Sequence, residues 1–249
     1  MPAHVLILGC GRSGTSIFGE LFEQLEGYSY LSEPPFAEIA GLDLAAPVAI
    51  KVPTESAGHP ASPGLSFPLD TMLSWLPEPR RIYWQVRHPL DAIASLRVGI
   101  TDGWGHHPRP PDWRSWLDRP VIERCAHHWS HLNEVGYDSV RNLVRICRFE
   151  DLLEDPAAFA AQICEDVGAD PATNTAGTSR WATRVQDTNN EKFVEARTSR
   201  RYSRPDHTRK VGRWRENLTP DELRLVLPIV RPAAERFGYA LPDAAVPVF

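Results

Sequence analysis

The sequence predicts an α/β fold, a three-layer domain with a mainly parallel central sheet flanked by helices. Three observations predict it. Short apolar, β-branched runs alternate with stretches of helical periodicity along the whole chain. The first of these runs passes through a glycine-rich turn straight into a helical pattern. No internal repeat, coiled-coil heptad or low-complexity tract breaks the alternation. The chain has 249 residues, enough for one sizeable core, so residues 1–249 are read as a single domain.

Composition excludes some partners. A net charge of −5 gives no general attraction for nucleic acid or a membrane surface, so an anion site must be a local gathering of arginines. The four cysteines (Cys10, Cys125, Cys147, Cys164) contain no C-x-x-C pair, which predicts buried free thiols rather than zinc or a redox dithiol. No signal-like or membrane-spanning run precedes the first strand, which predicts a cytoplasmic chain with no membrane anchor.

The first strand, Val5-Leu6-Ile7-Leu8, enters Gly9-Cys10-Gly11-Arg12-Ser13-Gly14-Thr15-Ser16. Ile17, Leu21 and Leu25 then fall on one helical face. Glycines let successive N–H groups point at one anion, and the helix N-terminus adds unpaired donors. Arg12 brings full charge, and Ser13, Thr15 and Ser16 bring hydroxyls. Gly9 and Gly14 have the separation of the triphosphatase loop G-x-x-x-x-G-K-[ST], but Thr15 stands where its lysine belongs. A phosphate-type anion fits this loop better than ATPase chemistry does; an ordinary packed turn is the plain alternative.

Residues 27–31 read as a short second strand, stopped by Ser32-Glu33-Pro34-Pro35. Glu33 is thereby set at a strand end, where open α/β sheets place their chemistry. The apolar run 45–52 reads as a buried parallel strand that ends on Lys51. A short helix over 69–76 precedes a strand over 81–86. That strand runs into Arg87-His88-Pro89, with Pro89 in the first turn of a helix that carries Ser95. Residues 99–119 are a long irregular segment whose Trp104, Trp113 and Trp116 either floor a binding site or pin the loop. A helix over 120–136 places His127 and His131 four apart, more consistent with packed or solvated histidines than with a metal site. A strand over 143–147 leads to Phe149-Glu150-Asp151 and a helix over 156–168 that stops at Gly168. Residues 170–212 are polar and arginine-rich, a disordered linker or a cationic lid. Thr219-Pro220-Asp221-Glu222 starts the last helix with a capping box.

At this point a family resemblance emerges. GCGRSGTSIFGELF resembles the 5′-phosphosulfate loop of sulfotransferases that use 3′-phosphoadenosine-5′-phosphosulfate (PAPS), and is similar above all to the carbohydrate type. Arg87-His88-Pro89 with Asp91 and Ser95 is similar to the family's 3′-phosphate motif. Phe149-Glu150-Asp151-Leu152 is similar to its Y-E-D-L segment, and Arg209-Lys210-Val211-Gly212-Arg213-Trp214 to its C-terminal basic segment. The resemblance implies a P-loop-like fold and PAPS as co-substrate, leaving PAP, its desulfated product, with no metal required. It implies that Gly11, Arg12, Ser13, Gly14, Thr15 and Ser16 hold the 5′-phosphosulfate. Arg87, Ser95, Lys210, Gly212 and Arg213 would hold the 3′-phosphate, with Phe149 near the adenine. Lys51 and Arg12 would stabilise charge on the bridging oxygen, and residues 186–215 would form the lid.

The cytosolic members follow their strand-end lysine with a histidine base; Val52 and Pro53 follow Lys51 here. Glu33 is therefore the candidate general base, and His59 a weaker one. The expected acceptor is a hydroxyl of a small molecule or carbohydrate, chosen by segments 54–68, 99–119 and 186–208. Anchored carbohydrate members reside in the Golgi, so the expected setting of this chain is bacterial. A P-loop small-molecule kinase and a non-catalytic nucleotide-binding module are the alternative readings.

Overall fold

The structure is a computed structural model that describes residues 2–55, 58, 60–100, 103–186 and 211–243. Five strands form one parallel sheet: β1 (His4–Gly9), β2 (Ser29–Ser32), β3 (Val48–Lys51), β4 (Arg80–Val86) and β5 (Val144–Arg148), in the order β2-β3-β1-β4-β5. The sheet is covered on both faces, which is why the middle strand β1 carries an unbroken apolar run, Val5–Leu8. Val5 and Ile7 of β1 face one core, Leu6 and Leu8 the other, and all four are at most 2% exposed. On the first face pack α1 (Thr15–Glu23), α8 (Pro156–Val167) and α9 (Pro171–Gln186), with Phe18, Phe22, Phe159 and Trp181 between them. The second face carries α2 (Phe36–Ile39), α3 (Leu69–Trp75), α4 (Pro89–Leu96), α5 (Val121–His131) and α11 (Pro220–Arg236). The described residues also hold three short α-helices, α6 (Tyr137–Val140), α7 (Phe149–Glu154) and α10 (Trp214–Asn217), and a 3-10 turn at Trp113–Trp116.

This strand order positions the site. From β1 the chain moves to one side of the sheet and returns; from β3 it crosses to the other side, at β4. The turns after β1 and β4 thus lie side by side while their helices, α1 and α4, go to opposite faces. A crevice opens at such a switch point, at the C-terminal ends of the strands.

Helix ends follow the sequence signals. Asp155 accepts a hydrogen bond from Ala158 N at the start of α8, and Gly168 closes it with φ 70°. Thr219 and Glu222 form a complete capping box on α11. The helix read over 120–136 ends as α5 at His131, continues as one π turn through Gly136, and leads into α6.

One expectation needs correction, and one pair of alternatives is decided. The linker-or-lid segment 170–212 contains a helix, α9, because three of its side chains reach inward. Trp181 Nε1 donates to Ile17 O at 2.9 Å, Asn174 Oδ1 accepts from Glu26 N at 2.7 Å, and Arg184 pairs with Glu20 at 3.3 Å. Residues 187–210, the bulk of the supposed lid, lie outside the described residues. The tryptophans of 99–119 pin the loop instead of flooring a site. Trp104 is wholly buried beside Trp113, and Trp116 stacks on His127 at 4.0 Å.

Trp181→Ala would remove a buried indole and its hydrogen bond to α1. A loss of about 3–5 kcal/mol in urea unfolding is expected; an unchanged midpoint would show that α9 does not dock as described.

Candidate active site

The turn Cys10–Gly14 is wound tightly enough that Ser13 N donates to Cys10 O at 3.2 Å and Arg12 takes a left-handed φ of 66°. Gly14 is the N-cap of α1, with φ 91° and no side-chain cap, so the first amides of α1 are left to a ligand. A Cβ on Gly14 would lie 2.2 Å from the Phe149 ring, so only glycine lets the turn rest on that ring. Ser13 Oγ is buried and has no hydrogen-bond partner among the described residues. A bound anion would supply one.

Two arginines meet at the turn. Arg12 Nε donates to Ser95 Oγ at 2.9 Å, and Arg87 Nη1 donates to Arg12 O at 3.1 Å. The Arg87 guanidinium lies over Phe149, 4.5 Å from the ring centroid. The Phe149 ring is 3% exposed, so it serves as a buried support for the turn and for Arg87. Burial pulls Arg87 below its ordinary pKa and Arg12 adds to this, while Asp91 and Glu150 oppose it. Arg213 is pulled down likewise, by burial and then by Arg87, against Asp91. Its Nε is buried without a hydrogen-bond partner among the described residues.

Asp91 brings Arg213 there. Its buried carboxylate accepts from Gly212 N at 2.7 Å and from Trp214 N at 2.8 Å, clasping the two residues that flank Arg213. Glu150 does the same for the other flank, accepting from His88 N and from the Tyr239 hydroxyl, each at 2.8 Å. The sequence motif contained Asp91, but its role becomes visible only when the C-terminal segment is seen folded onto α4. Lys210 lies outside the described residues.

The β2 and β3 ends form the other wall. Lys51 is 2% exposed, and its Nζ donates to Ser16 Oγ at 3.0 Å and to Glu33 Oε1 at 2.6 Å. Glu33 and Val52 both have positive φ, 54° and 39°, pinned by Glu33 N to Lys51 O at 2.8 Å and Val52 N to Ile7 O at 2.9 Å. The Glu33 side chain is 59% exposed and faces a cleft of about 370 Å³. Thr15, Thr54, Ser66, His106 and His107 also line this cleft. The two histidines come from the segment in which the sequence reading singled out tryptophans. His107 Nδ1 lies 2.7 Å from Glu55 Oε1. His59 lies outside the described residues. His127 is stacked on Trp116 with its Nε2 2.8 Å from Asp112, a packed histidine. Among the described residues no three His, Cys, Asp or Glu side chains are grouped to hold a metal ion, and no helix is long and apolar enough to cross a membrane.

No protein-family model and no curated protein sequence matches the chain. Solved structures do. A sulfotransferase domain from the Synechococcus PCC 7002 olefin synthase aligns with TM-score 0.59 at 16% identity, over 96% of each chain. Mouse sulfotransferase SULT7A1 complexed with PAP aligns with TM-score 0.57 at 15% identity, over 93% of this chain and 84% of that one. Retinol dehydratase in complex with androsterone and the inactive cofactor PAP aligns with TM-score 0.55 at 13% identity, over 99% and 85%. At these identities the likeness concerns the fold, and the P-loop-like α/β fold read from the sequence is the one this chain shares with these sulfotransferases.

Asp91→Ala would release Gly212 and Trp214 from a buried charged acceptor. Amide exchange at both positions is expected to quicken at least about tenfold, since hydrogen bonds to charged groups contribute roughly 1.5–3 kcal/mol. Unchanged exchange would show that the segment is held by other contacts.

Proposed function

We propose that this protein is an enzyme that transfers a sulfuryl group from PAPS to a hydroxyl of a small-molecule or carbohydrate acceptor. One observation carries the reading: Arg12, Arg87 and Arg213 gather at the uncapped N-terminus of α1, where the Ser13 hydroxyl and Arg213 Nε are buried without hydrogen-bond partners among the described residues. These groups fit a nucleotide that carries an anionic group at each of two positions. The turn Gly11–Ser16 with Arg12 takes the 5′-phosphosulfate, and Arg87, Ser95, Gly212 and Arg213 take the 3′-phosphate, with Phe149 beneath Arg87; Lys210 belongs to the same proposal. Binding both ends of the donor fixes where the sulfur sits.

In the transfer, the acceptor oxygen forms a bond to sulfur as the bond from sulfur to the bridging oxygen breaks. The electron pair stays on the leaving nucleotide. Lys51 and Arg12 stabilise that growing charge without a metal, as cations do in the related phosphoryl transfers. Glu33 takes the hydroxyl proton. Its place supports this: it stands at a strand end, faces the cleft and is oriented by Lys51 at 2.6 Å. The polar lining of Thr15, Thr54, Ser66, His106 and His107 suits a hydroxyl-bearing acceptor such as a sugar.

The test is release of PAP from PAPS in the presence of a library of hydroxyl acceptors. Glu33→Gln is expected to lower kcat about 10²–10⁴-fold with KM for PAPS little changed. Arg87→Ala is expected to raise KM for PAPS at least about tenfold. Full turnover in Glu33→Gln would remove it as the base, and no turnover with any acceptor would favour a non-catalytic binding module.

A further inference from the structure

The segment after α4 carries a histidine, His106, up to the anion turn, in the cleft that Glu33 also lines. Its ring occupies a slot made by two glycines. A Cβ on Gly11 would lie 3.1 Å from His106 Nδ1, and a Cβ on Gly99 would lie 2.2 Å from His106 Nε2. Neither Gly11 nor Gly99 has positive φ, so ring clearance, not backbone conformation, favours glycine: a Cβ on Gly99 would collide with the ring, and one on Gly11 would crowd it. The approach is built, not incidental. Gly105 N donates to Gly99 O at 2.8 Å, closing the loop. Trp104, next in line, is wholly buried with a left-handed φ of 45°. Its Nε1 donates to His128 Nδ1 at 3.3 Å, and Arg109 Nε donates to its carbonyl at 3.0 Å. The buried His128 ring backs His106, with centroids 5.9 Å apart. A strained, doubly anchored turn that delivers one ring to one place is a feature of functional positions.

We propose that His106 is a ligand of the transferring sulfuryl group, donating from its ring N–H to a sulfuryl oxygen held at Gly11. This rests on the sulfuryl-transfer reading above. His106 lines the cleft together with Gly11 and Thr15, so its ring edge meets both the anion turn and the space where the acceptor arrives. A donor placed there opposes the charge on the oxygens of the group in flight. His107 is a neighbour with a different task, since its Nδ1 is turned to Glu55 at 2.7 Å.

The sulfuryl group is the difference between PAPS and PAP, so paired calorimetric titrations read the contact directly. His106→Ala is expected to weaken PAPS about tenfold while leaving PAP unchanged, the size of one charged hydrogen bond. His106→Gln, which keeps a donor, is expected to recover part of the loss. Unchanged binding of both nucleotides in His106→Ala would overturn the proposal. An equal loss for both would overturn it too, since the ring would then only brace the turn. In either case PAP binding by the unaltered protein leaves the sulfuryl-transfer reading standing. An unaltered protein that binds neither nucleotide would remove that reading and this one with it.

Discussion

Repulsion among Arg12, Arg87 and Arg213 is the constraint that the rest of the structure answers. Three guanidinium groups gathered beside a helix N-terminus oppose one another, and burial raises the effect. Asp91 and Glu150 offset it from behind, and each also holds backbone: Asp91 the two residues around Arg213, Glu150 the amide of His88. The counter-charges thus position the elements that bear the cations. In a chain with a net charge of −5, three guanidiniums held by two carboxylate clasps leave a local surplus of positive charge at this one point.

Strain gathers at the same edge of the sheet. The described non-glycine residues with left-handed φ are Arg12, Glu33, Val52 and Trp104. Arg12 lies in the anion turn, Glu33 and Val52 follow the ends of β2 and β3, and Trp104 precedes His106. Each conformation costs on the order of 1–3 kcal/mol and persists where the surroundings fix it. The sheet supplies that fixation: Ile7 O, Lys51 O and Pro34 O hold the β2 and β3 ends, and the aromatic core holds Trp104.

Much of this was legible in the residues. The alternation of runs marked the sheet and helices, because burial on two faces makes β1 apolar and the middle of β4 aromatic and β-branched, with glycine or proline in the turns that follow. The pairing of Lys51 with Glu33 was within reach of the sequence only as two strand ends; their 2.6 Å contact depends on β2 lying beside β3. Segment 171–186 reads as linker or lid because polar residues dominate it; its buried side chains, Asn174, Trp181, Ala182 and Val185, include only two large apolar ones, too few to show a stripe. The tryptophans of 99–119 were weighed as a binding floor because large aromatics serve both surfaces and cores. What decides is the fold behind them, which buries Trp104 and sends His106 forward instead. No spacing rule in the sequence carries that choice, since it joins residues from the first turn and the fourth helix's far end.

The most direct test of the central claim is calorimetric titration of the unaltered protein with PAP and, separately, with ATP and magnesium. The geometry of Arg12, Arg87 and Arg213 around the α1 N-terminus predicts that PAP binds tightly and ATP with magnesium binds feebly. The reverse preference would contradict it, and would make the turn at Gly9–Gly14 the phosphate cradle of a kinase.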